Sequence, residues 1–444
     1  MMSSAGTIER RDLRRIERNL PFIDDPGLAQ AVHWTPANNL PVHRWFRYRE
    51  GFSPYLLDCF PNATHRLDPF CGCGTTLLES ARKGIHAYGI DLNPLAVYVA
   101  KVKTRQYNSQ DKDRFASLYR TASRTLSDLP VTGKPVYKLI DKLFRPESLD
   151  TLLRLKSFIN SVPAGKVKDL LFLAWLSILE EASSVYKEGN GLKYKNKLRR
   201  PGRYVTLPDR IWIPRYFGRD IPGFVLELWR RKCEEIVEDI GLSSLTRGYT
   251  PTIRTGSCLD KQTLDFDRTF DFVIFSPPYA NRFDYFEAFK VEMWMGGFVE
   301  NSTDMKSLRS RSIRNNLTAE RFGSEDEWPL LCPFLEAMEP GASSVRMGIK
   351  KALQGYFYDM RLLLRNLRSR LSRRAKVVIV VGNSAYAKSI IPTDTLVACL
   401  AQEENYRIDA IRIARHLHVS SQQRSSLHHL QDFMRESVII LEKA

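Results

Sequence analysis

The spacing of hydrophobic residues divides the chain into regions of different predicted structure. In residues 63–103, short apolar runs alternate with Gly and Asn-Pro breakers, and this alternation predicts strands and helices in turn. The predicted elements are a strand at 65–70, a helix at 75–83, a strand at 87–91 and a helix at 94–103. Strands that alternate with helices in this way are typical of an α/β domain.

A different pattern follows between residues 105 and 248. Apolar residues recur there with helical spacing, as from Leu170 to Leu179, so we predict a mostly helical insert whose basic centre, 187–203, is a mobile loop. An amphipathic helix is predicted at 356–372. Strand patterns resume at 252–255, 270–275, 376–381 and 437–441. Both ends of the chain are therefore expected to build one α/β domain that the insert interrupts.

Amino-acid composition and net charge indicate which kind of partner the protein binds. The 444 residues are 43% hydrophobic, which is enough for a sizeable core, and their net charge is +17. This excess favours a polyanion such as nucleic acid, although it also fits a basic composition that only aids solubility.

The seven Cys lack the paired spacing of a zinc site, so no metal is predicted. The first 18 residues lack the apolar centre of a signal peptide, and no apolar run approaches the roughly 20 residues that span a bilayer. We therefore expect a cytoplasmic protein that does not enter membranes.

A glycine-rich turn follows the first predicted strand. Gly72 and Gly74 allow a tight turn with room for a bound molecule, and Asp91 ends the next strand, where a carboxylate can accept hydrogen bonds from ribose hydroxyls. The dinucleotide fingerprint would need a third glycine where Leu77 stands, and a P-loop would need a lysine after Gly74. The turn therefore predicts cofactor binding at the carboxyl ends of the strands and disfavours both of these nucleotide-binding motifs.

The buried strand at 270–275 runs directly into Ser276, Pro277, Pro278 and Tyr279. The two prolines fix the backbone, so the Ser276 side chain and the Pro277 carbonyl can be rigid hydrogen-bond acceptors. Such acceptors suit a conjugated amino group, because two N–H bonds held in place direct the nitrogen lone pair. Tyr279 can stack on a base that has left its duplex.

Together, the strings DPFCGCGTT (68–76), GIDLNP (89–94) and SPPY (276–279) resemble the motifs of amino-directed DNA methyltransferases, N4-cytosine or N6-adenine, of the SPPY type. Residues 45–54 resemble the segment that packs over the methionine end of the cofactor. The resemblance implies a Rossmann-like class I methyltransferase with a central mixed, mostly parallel sheet, and S-adenosyl-L-methionine as the cofactor. The implied catalytic residues are Ser276, Pro277, Pro278 and Tyr279. The implied cofactor contacts are Phe52, Ser53, Asp68, Phe70, Gly72, Gly74, Thr75, Asp91, Asn93 and Ser257.

The target base is left open between two amino groups. The serine form of the tetrapeptide is commoner among N4-cytosine enzymes, which favours cytosine over N6 of adenine. The cofactor motif precedes SPPY here, whereas many SPPY enzymes have the reverse order, and Ser257 stands where relatives often carry an acid. Cytosine C5 methylation is excluded, because it needs a nucleophilic cysteine and no Pro-Cys pair occurs. An RNA amino-methyltransferase and an inactive DNA-binding relict are the remaining alternatives.

Basic segments are candidates for contact with double-stranded DNA. The predicted contacts are Lys193, Lys195, Lys197, Arg199, Arg200 and Arg203 in 187–203, and Arg311 and Arg314 in a second zone, 306–321; residues 412–424 are a third, weaker zone. The resemblance also implies cognate restriction or defence proteins as possible partners. The predicted domain organisation is a lid segment with the cofactor-binding half (1–105), the helical basic insert (106–249) and the catalytic half (250–444).

Overall fold

A computed structural model describes residues 8–35, 39–48, 51–188, 191–200, 203–242, 245–315, 328–418 and 424–444. An eight-stranded sheet forms its centre, and three two-stranded sheets lie outside it. The strands are β1 (Phe22–Asp24), β2 (His65–Asp68), β3 (His86–Asp91), β4 (Val185–Glu188), β5 (Gly191–Tyr194), β6 (Lys197–Arg200), β7 (Arg203–Thr206), β8 (Thr252–Thr255), β9 (Phe270–Phe275), β10 (Leu371–Gly382), β11 (Ser384–Tyr386), β12 (Ser389–Ile391), β13 (Tyr406–His416) and β14 (Arg435–Lys443).

The central sheet has the order β1-β13-β14-β10-β9-β2-β3-β8. Strand β14 is antiparallel to both of its neighbours, and the remaining pairs are parallel. The predicted Rossmann-like fold with a mixed, mostly parallel sheet is confirmed. Strand β2 ends at Asp68 rather than at residue 70, because Pro69 has no amide hydrogen to continue the ladder.

The strand order reverses between β2 and β9, which are neighbours in the sheet. In open α/β sheets, ligands bind in the crevice at such a reversal, outside the carboxyl ends of the strands. Asp68 ends β2 and Ser276 follows β9, so the topology brings both predicted motifs to this crevice. Because β14 runs the opposite way, its first residues lie at the same edge.

Helices cover the sheet and fill the insert. Short 3-10 turns lie at Pro26–Leu28, His43–Trp45, Leu126–Asp128 and His428–Phe433. The helices are α1 (Arg10–Glu17), α2 (Tyr55–Asp58), α3 (Thr75–Arg82), α4 (Pro94–Lys103), α5 (Ser109–Arg124), α6 (Ile140–Leu143), α7 (Pro146–Ser161), α8 (Lys166–Ala182), α9 (Asp209–Phe217), α10 (Ile221–Leu242), α11 (Tyr285–Ala288), α12 (Lys290–Gly296), α13 (Ser302–Ser310), α14 (Cys332–Glu336), α15 (Ser343–Arg346), α16 (Ile349–Arg368), α17 (Thr393–Glu403) and α18 (Arg424–Leu427).

Alternate residues of β10 are buried on opposite faces of the sheet. Val377 and Ile379 pack with residues of α16 and α17, whereas Val378 and Val380 pack with Leu56 and other residues on the opposite face. A period of two is what a central strand buried on both faces requires. None of the helices in the described ranges is both long and apolar enough to cross a membrane.

The insert is mostly helical, as predicted, but its basic centre is not a loop. Helices α5, α7, α8 and α10 pack around the buried Trp175 and Trp229, and this core continues into α4 and α12. Residues 185–206 instead form two antiparallel hairpins, β4–β5 and β6–β7. The sequence signals were the Asn190-Gly191 and Pro201-Gly202 pairs, which favour tight turns between strands. Residues 189, 190, 201 and 202 lie outside the described residues.

Candidate active site

One cavity joins the glycine turn to the Ser-Pro-Pro-Tyr segment. Its wall combines the turn after β2, the end of β3, the loop after β8, residues 284–286 and residues 311–315. The predicted site residues that line it are Phe52, Asp68, Phe70, Gly72, Thr75, Asp91, Asn93, Ser257, Ser276 and Pro278. The two motifs, which lie about two hundred residues apart in sequence, therefore face the same space.

Hydrogen bonds fix the glycine turn against the next strand. The Asp68 carboxylate accepts from the Phe70 amide (3.0 Å) and from the hydroxyl of Thr76 (2.5 Å). The Asp91 carboxylate accepts from the amides of Gly72 (2.9 Å) and Asn93 (2.8 Å). Both acids are thus held in place by the backbone around the cavity.

The two glycines of the turn have positive φ angles and close neighbours. Gly72 has φ +48°, and a Cβ there would lie 3.2 Å from the ring of Tyr48. Gly74 has φ +91°, and its Cβ would lie 3.0 Å from Cβ of Ala100 in α4. Any larger residue would therefore strain the backbone and push against the lid or the helix. Gly74 supports the turn from behind, whereas Gly72 lines the cavity.

Burial raises the pKa of both acids. Removal from water raises the pKa of Asp68 to about 7, against hydrogen bonds from Thr76 and Phe70 that lower it. Burial also raises the pKa of Asp91 to about 6. A ligand that brings positive charge or hydroxyl donors to these carboxylates would favour their ionised forms.

Asn93 offers an unused donor at the same place. Its Oδ1 accepts from the Leu95 amide (3.0 Å) and caps α4, which is a common role for Asn before a helix. Its Nδ2 is buried and has no hydrogen-bond partner in the described part of the chain. A buried donor without a partner is costly, so a ligand acceptor in the cavity would fit here.

Residues of the N-terminal region, which we call the lid, form one wall of the cavity. Trp34, His43, Phe46, Tyr48 and Phe52 contribute to its wall. The amine of Lys103 in α4 donates to the carbonyls of His43 (2.9 Å) and Phe46 (3.2 Å), and Tyr48 stacks on Phe289 at 4.7 Å between ring centroids. The lid is thereby attached to the helix that begins with the Asn93 cap. Residues 49 and 50, within the predicted lid string, lie outside the described residues.

Ser53 does not match its predicted role. It is fully buried, it is absent from the cavity wall, and its amide donates to the Ala31 carbonyl (2.9 Å). Its hydroxyl accepts from the Tyr55 amide at 3.4 Å, at the start of α2. The structure therefore assigns Ser53 to the helix entry and leaves Phe52 as the cavity residue of this pair.

The Ser-Pro-Pro-Tyr segment borders a second cavity as well. Ser276 lines both cavities, Pro278 lines the first and Tyr279 lines the second, whereas Pro277 is buried and lines neither. The hydroxyl of Tyr386 donates to the Ala280 carbonyl (2.7 Å) and so holds the residue that follows the tetrapeptide. The segment is therefore fixed at both ends, by β9 and by this bond.

Residues 311–315 close one side of the first cavity. The Ser257 hydroxyl donates to the Arg311 carbonyl (2.8 Å), and the Asn315 side-chain amide donates to the Phe283 carbonyl (2.7 Å). Arg314 does not fit the prediction of DNA contact, because its guanidinium binds the buried carboxylate of Asp359 (Nε–Oδ2 2.9 Å, Nη2–Oδ1 2.5 Å). Arg311 is exposed and lines the cavity. Residues 316–321 of this basic zone lie outside the described residues.

The hairpins present most of the predicted basic residues to solvent. The exposed ones are Lys193, Lys197, Arg199, Arg200 and Arg203, beside the half-exposed Tyr204. Lys195 contradicts the prediction: its amine is buried and donates to the carbonyls of Glu181 and Ser183 (both 2.7 Å). Burial lowers the pKa of Lys195 to about 8. The β4–β5 hairpin contacts α11, whose first residues line the first cavity.

In the third basic zone, residues 412–416 belong to β13, and the guanidinium of Arg412 pairs with Asp25 (3.1 Å). Residues 419–423 lie outside the described residues. Sequence reasoning also missed Tyr48 of the lid, Lys103 of α4 and Glu436 of the second cavity, which borders Arg415 of the third basic zone. No local signal marks them, because their partners lie on other elements.

Such a sheet, with its cavity at the strand-order reversal, defines a Rossmann-like α/β fold with a candidate cofactor-binding site. No protein-family model matches the chain. Relatives include the Type II methyltransferases M.BsoBI of Geobacillus stearothermophilus (26% identity, covering 98% of this chain and 91% of the relative), M.AvaI of Nostoc sp. (26%, 91% and 85%) and M.MvaI of Kocuria varians (23%, 82% and 82%). The resemblance drawn from the motifs is thus confirmed: the chain is similar to Type II methyltransferases over most of its length.

Among solved structures, the rRNA methyltransferase aviRa from Streptomyces viridochromogenes matches with a TM-score of 0.26 and 10% identity, covering 94% of this chain and 90% of that one.

Proposed function

We propose that this protein transfers a methyl group from S-adenosyl-L-methionine to an exocyclic amino nitrogen of a base in double-stranded DNA, at a specific sequence, with N4 of cytosine as the favoured target. The observation that carries the proposal is the cavity that joins the Asp68 turn to Ser276. The Type II methyltransferase relatives support the same class of reaction.

The cofactor half of the cavity fits an adenosine-containing cation. S-adenosyl-L-methionine, when bound, supplies a methyl group on a positively charged sulfur. The Asp68 carboxylate suits the ammonium of its methionine part, and Asp91 suits the ribose hydroxyls. The unpartnered Nδ2 of Asn93 can donate to an oxygen or nitrogen of the adenosine. Tyr48 and Phe52 of the lid exclude water from the same space.

The Ser276 hydroxyl and the Pro277 carbonyl act on the target amino group. They accept its two N–H bonds and so direct the nitrogen lone pair toward the cofactor side of the cavity. Because Pro277 and Pro278 fix the backbone, these acceptors need little rearrangement as positive charge develops on nitrogen, an effect often worth several kcal/mol. The target base must leave the duplex to reach Ser276.

The exposed cations of the hairpins supply the sequence-independent part of DNA binding. Five of them lie on β5, β6 and β7, and β4–β5 packs on α11 beside the cavity. Neutralised phosphates release counterions, so these side chains would contribute affinity that falls with salt. Arg311 is the predicted DNA contact that lines the first cavity.

The direct test is to incubate the protein with labelled S-adenosyl-L-methionine and genomic duplex DNA, and to identify the nucleosides after digestion. We expect N4-methylcytosine. Ser276→Ala should reduce the rate at least a hundredfold while cofactor binding, measured by calorimetry, stays within about twofold, because oriented acceptors act mainly in the transition state. Ser117→Ala, on the exposed face of α5, is the matched control and should retain full activity.

Product identity separates the alternatives. If the product is N6-methyladenine, the methyltransferase proposal stands but the target base is adenine. If methylated nucleosides form from tRNA but not from DNA, the substrate is RNA instead of DNA. Cofactor binding with no product from either nucleic acid would contradict catalysis altogether.

A further inference from the structure

The second cavity contains a buried acid that the proposed chemistry does not use. Glu436 is only 4% exposed, and its carboxylate accepts from the Tyr279 hydroxyl at 2.7 Å. The guanidinium of Arg415 pairs with the other carboxylate oxygen. Tyr279, Arg415 and Glu436 line this cavity together with Ser276. The ion pair is therefore a neighbour of the residue that would hold the target amino group.

Strand direction brings these side chains together. Arg415 lies near the end of β13, and Glu436 lies at the start of β14, which runs the opposite way; the two residues are register partners. Both therefore stand at the sheet edge where Ser276 follows β9. Burying a carboxylate costs desolvation free energy unless the carboxylate is fully paired. The burial of Glu436 beside this cavity therefore indicates a functional role.

Tyr279 is held from two sides. Its hydroxyl is bound by Glu436, and its ring lies against Gly382 at the end of β10, where an added Cβ would be only 2.9 Å from Cε2 of the ring. The ring orientation is thus fixed independently of any bound base. A fixed aromatic ring is what stacking on an extruded base requires, because it loses little freedom on binding.

We propose that Arg415 is a specificity-determining residue that selects cytosine, and that Glu436 is the positioning residue that aims both Arg415 and Tyr279. This inference rests on the proposed function and explains why cytosine is the target base. A guanidinium has five N–H donors, so the Nε bond to Glu436 does not exhaust them. Cytosine presents two adjacent acceptors, N3 and O2, beside its amino group, and a forked donor can bind both. The corresponding edge of adenine presents N1 and then a C–H, so one donor would lose its partner.

Three variants separate the roles. Arg415→Gln removes the forked cation, Glu436→Gln removes the charge that orients it, and Tyr279→Phe keeps the ring while breaking the bond to Glu436. Arg407→Gln is the matched control, because Arg407 lies on the same strand and is exposed at its other end. Each is assayed on genomic duplex DNA for product nucleosides, for KM and kcat, for cofactor binding and for thermal unfolding.

We expect the unaltered protein to form N4-methylcytosine. Arg415→Gln should lower kcat/KM for DNA about tenfold or more, since a two-point contact to a base is worth about 1–3 kcal/mol. Cofactor affinity should not change. Glu436→Gln should lower kcat/KM similarly and Tyr279→Phe less, whereas Arg407→Gln should stay within twofold. If Glu436→Gln does not fold, Arg415→Gln and Tyr279→Phe still decide the question.

Two results would overturn the inference while leaving the methyltransferase proposal intact: N6-methyladenine as the product, or Arg415→Gln kinetics equal to those of Arg407→Gln. Absence of any methylated nucleoside would overturn both proposals. A loss of cofactor affinity in Arg415→Gln would also count against base recognition, because Arg415 borders the second cavity and not the first.

Discussion

Asp68→Asn should stabilise the cofactor-free protein at pH 8 and abolish cofactor binding. The folded chain raises the pKa of Asp68 from an ordinary 3.8 to about 7, because the carboxyl is removed from water. A shift of about three units corresponds to about 4 kcal/mol between the protonation states. The amide is neutral at every pH and is nearly the same size.

The sign follows from proton linkage. Because the folded state holds the proton more tightly than the unfolded state, this carboxyl destabilises the fold progressively as pH rises from 3.8 to about 7, and by the full amount above pH 7. Asp68→Asn removes this cost. The amide fits the Phe70 and Thr76 bonds less well, so we expect a net gain of about 2–4 kcal/mol at pH 8 that shrinks toward zero or below near pH 4.

Denaturant unfolding without cofactor, at pH 4 and pH 8, measures the difference. A gain of equal size at both pH values, or a loss at pH 8, would refute the reasoning. The same titration predicts that S-adenosyl-L-methionine binding by the unaltered protein weakens up to tenfold per pH unit below pH 7, because binding the ammonium needs the ionised carboxylate.

Asp394 provides a control, because its pKa is lowered in the folded protein whereas the pKa of Asp68 is raised. Burial tends to raise its pKa, but the charge of Arg435 and hydrogen bonds from Arg435 (2.7 Å) and Ser437 (2.8 Å) outweigh burial, and the pKa is lowered. A lowered pKa gives stability above the ordinary value that is lost as pH falls through the folded one. Asp394→Asn should therefore destabilise the protein at neutral pH, and less so in acid.

Four further variants test the turn, the lid and the hairpins. Gly74→Ala places a Cβ 3.0 Å from Ala100 at φ +91°, so unfolding free energy should fall by about 1–2 kcal/mol, with weaker cofactor binding by calorimetry. Lys103→Gln loses charged hydrogen bonds to two lid carbonyls and should weaken cofactor binding about tenfold; equal affinity would show that the lid does not depend on it. Neutralising the five exposed hairpin cations should reduce the slope of log DNA affinity against log salt concentration by roughly four to five. Lys195→Gln should leave this slope unchanged and should lower the melting temperature, because the Lys195 amine is buried and binds two carbonyls. The five are Lys193, Lys197, Arg199, Arg200 and Arg203.

The glycine-turn half of the candidate site could be predicted from sequence because its determinants are local. The strands, the glycine turn and Asp91 all lie within residues 65–103, and each is specified by residue types within a few positions. The observed ends of these elements differ from the predicted ends by only one or two residues. The SPPY segment was found for the same reason, since a buried strand that ends at two prolines is visible in the sequence alone.

Errors arose where burial depends on distant residues. Lys195 and Arg314 look like exposed cations within basic runs, but carbonyls of 181 and 183 bind the first and Asp359 binds the second. Charge runs alone do not reveal such partners. Strands β1 and β13 were missed as well; β1 has only three residues and is specified by its pairing with β13 at the sheet edge.

The sequence by itself determined the α/β class, the glycine turn after β2 and the proline-fixed segment at Ser276 and Pro277, because residue types within a short span specify each of them. Only the tertiary structure decided which side chains face that segment. Tyr279 and Glu436 are 157 residues apart, and only the antiparallel course of β14 brings them into contact. Side-chain partners across a sheet follow from strand order and register, and these depend on the packing of the whole chain.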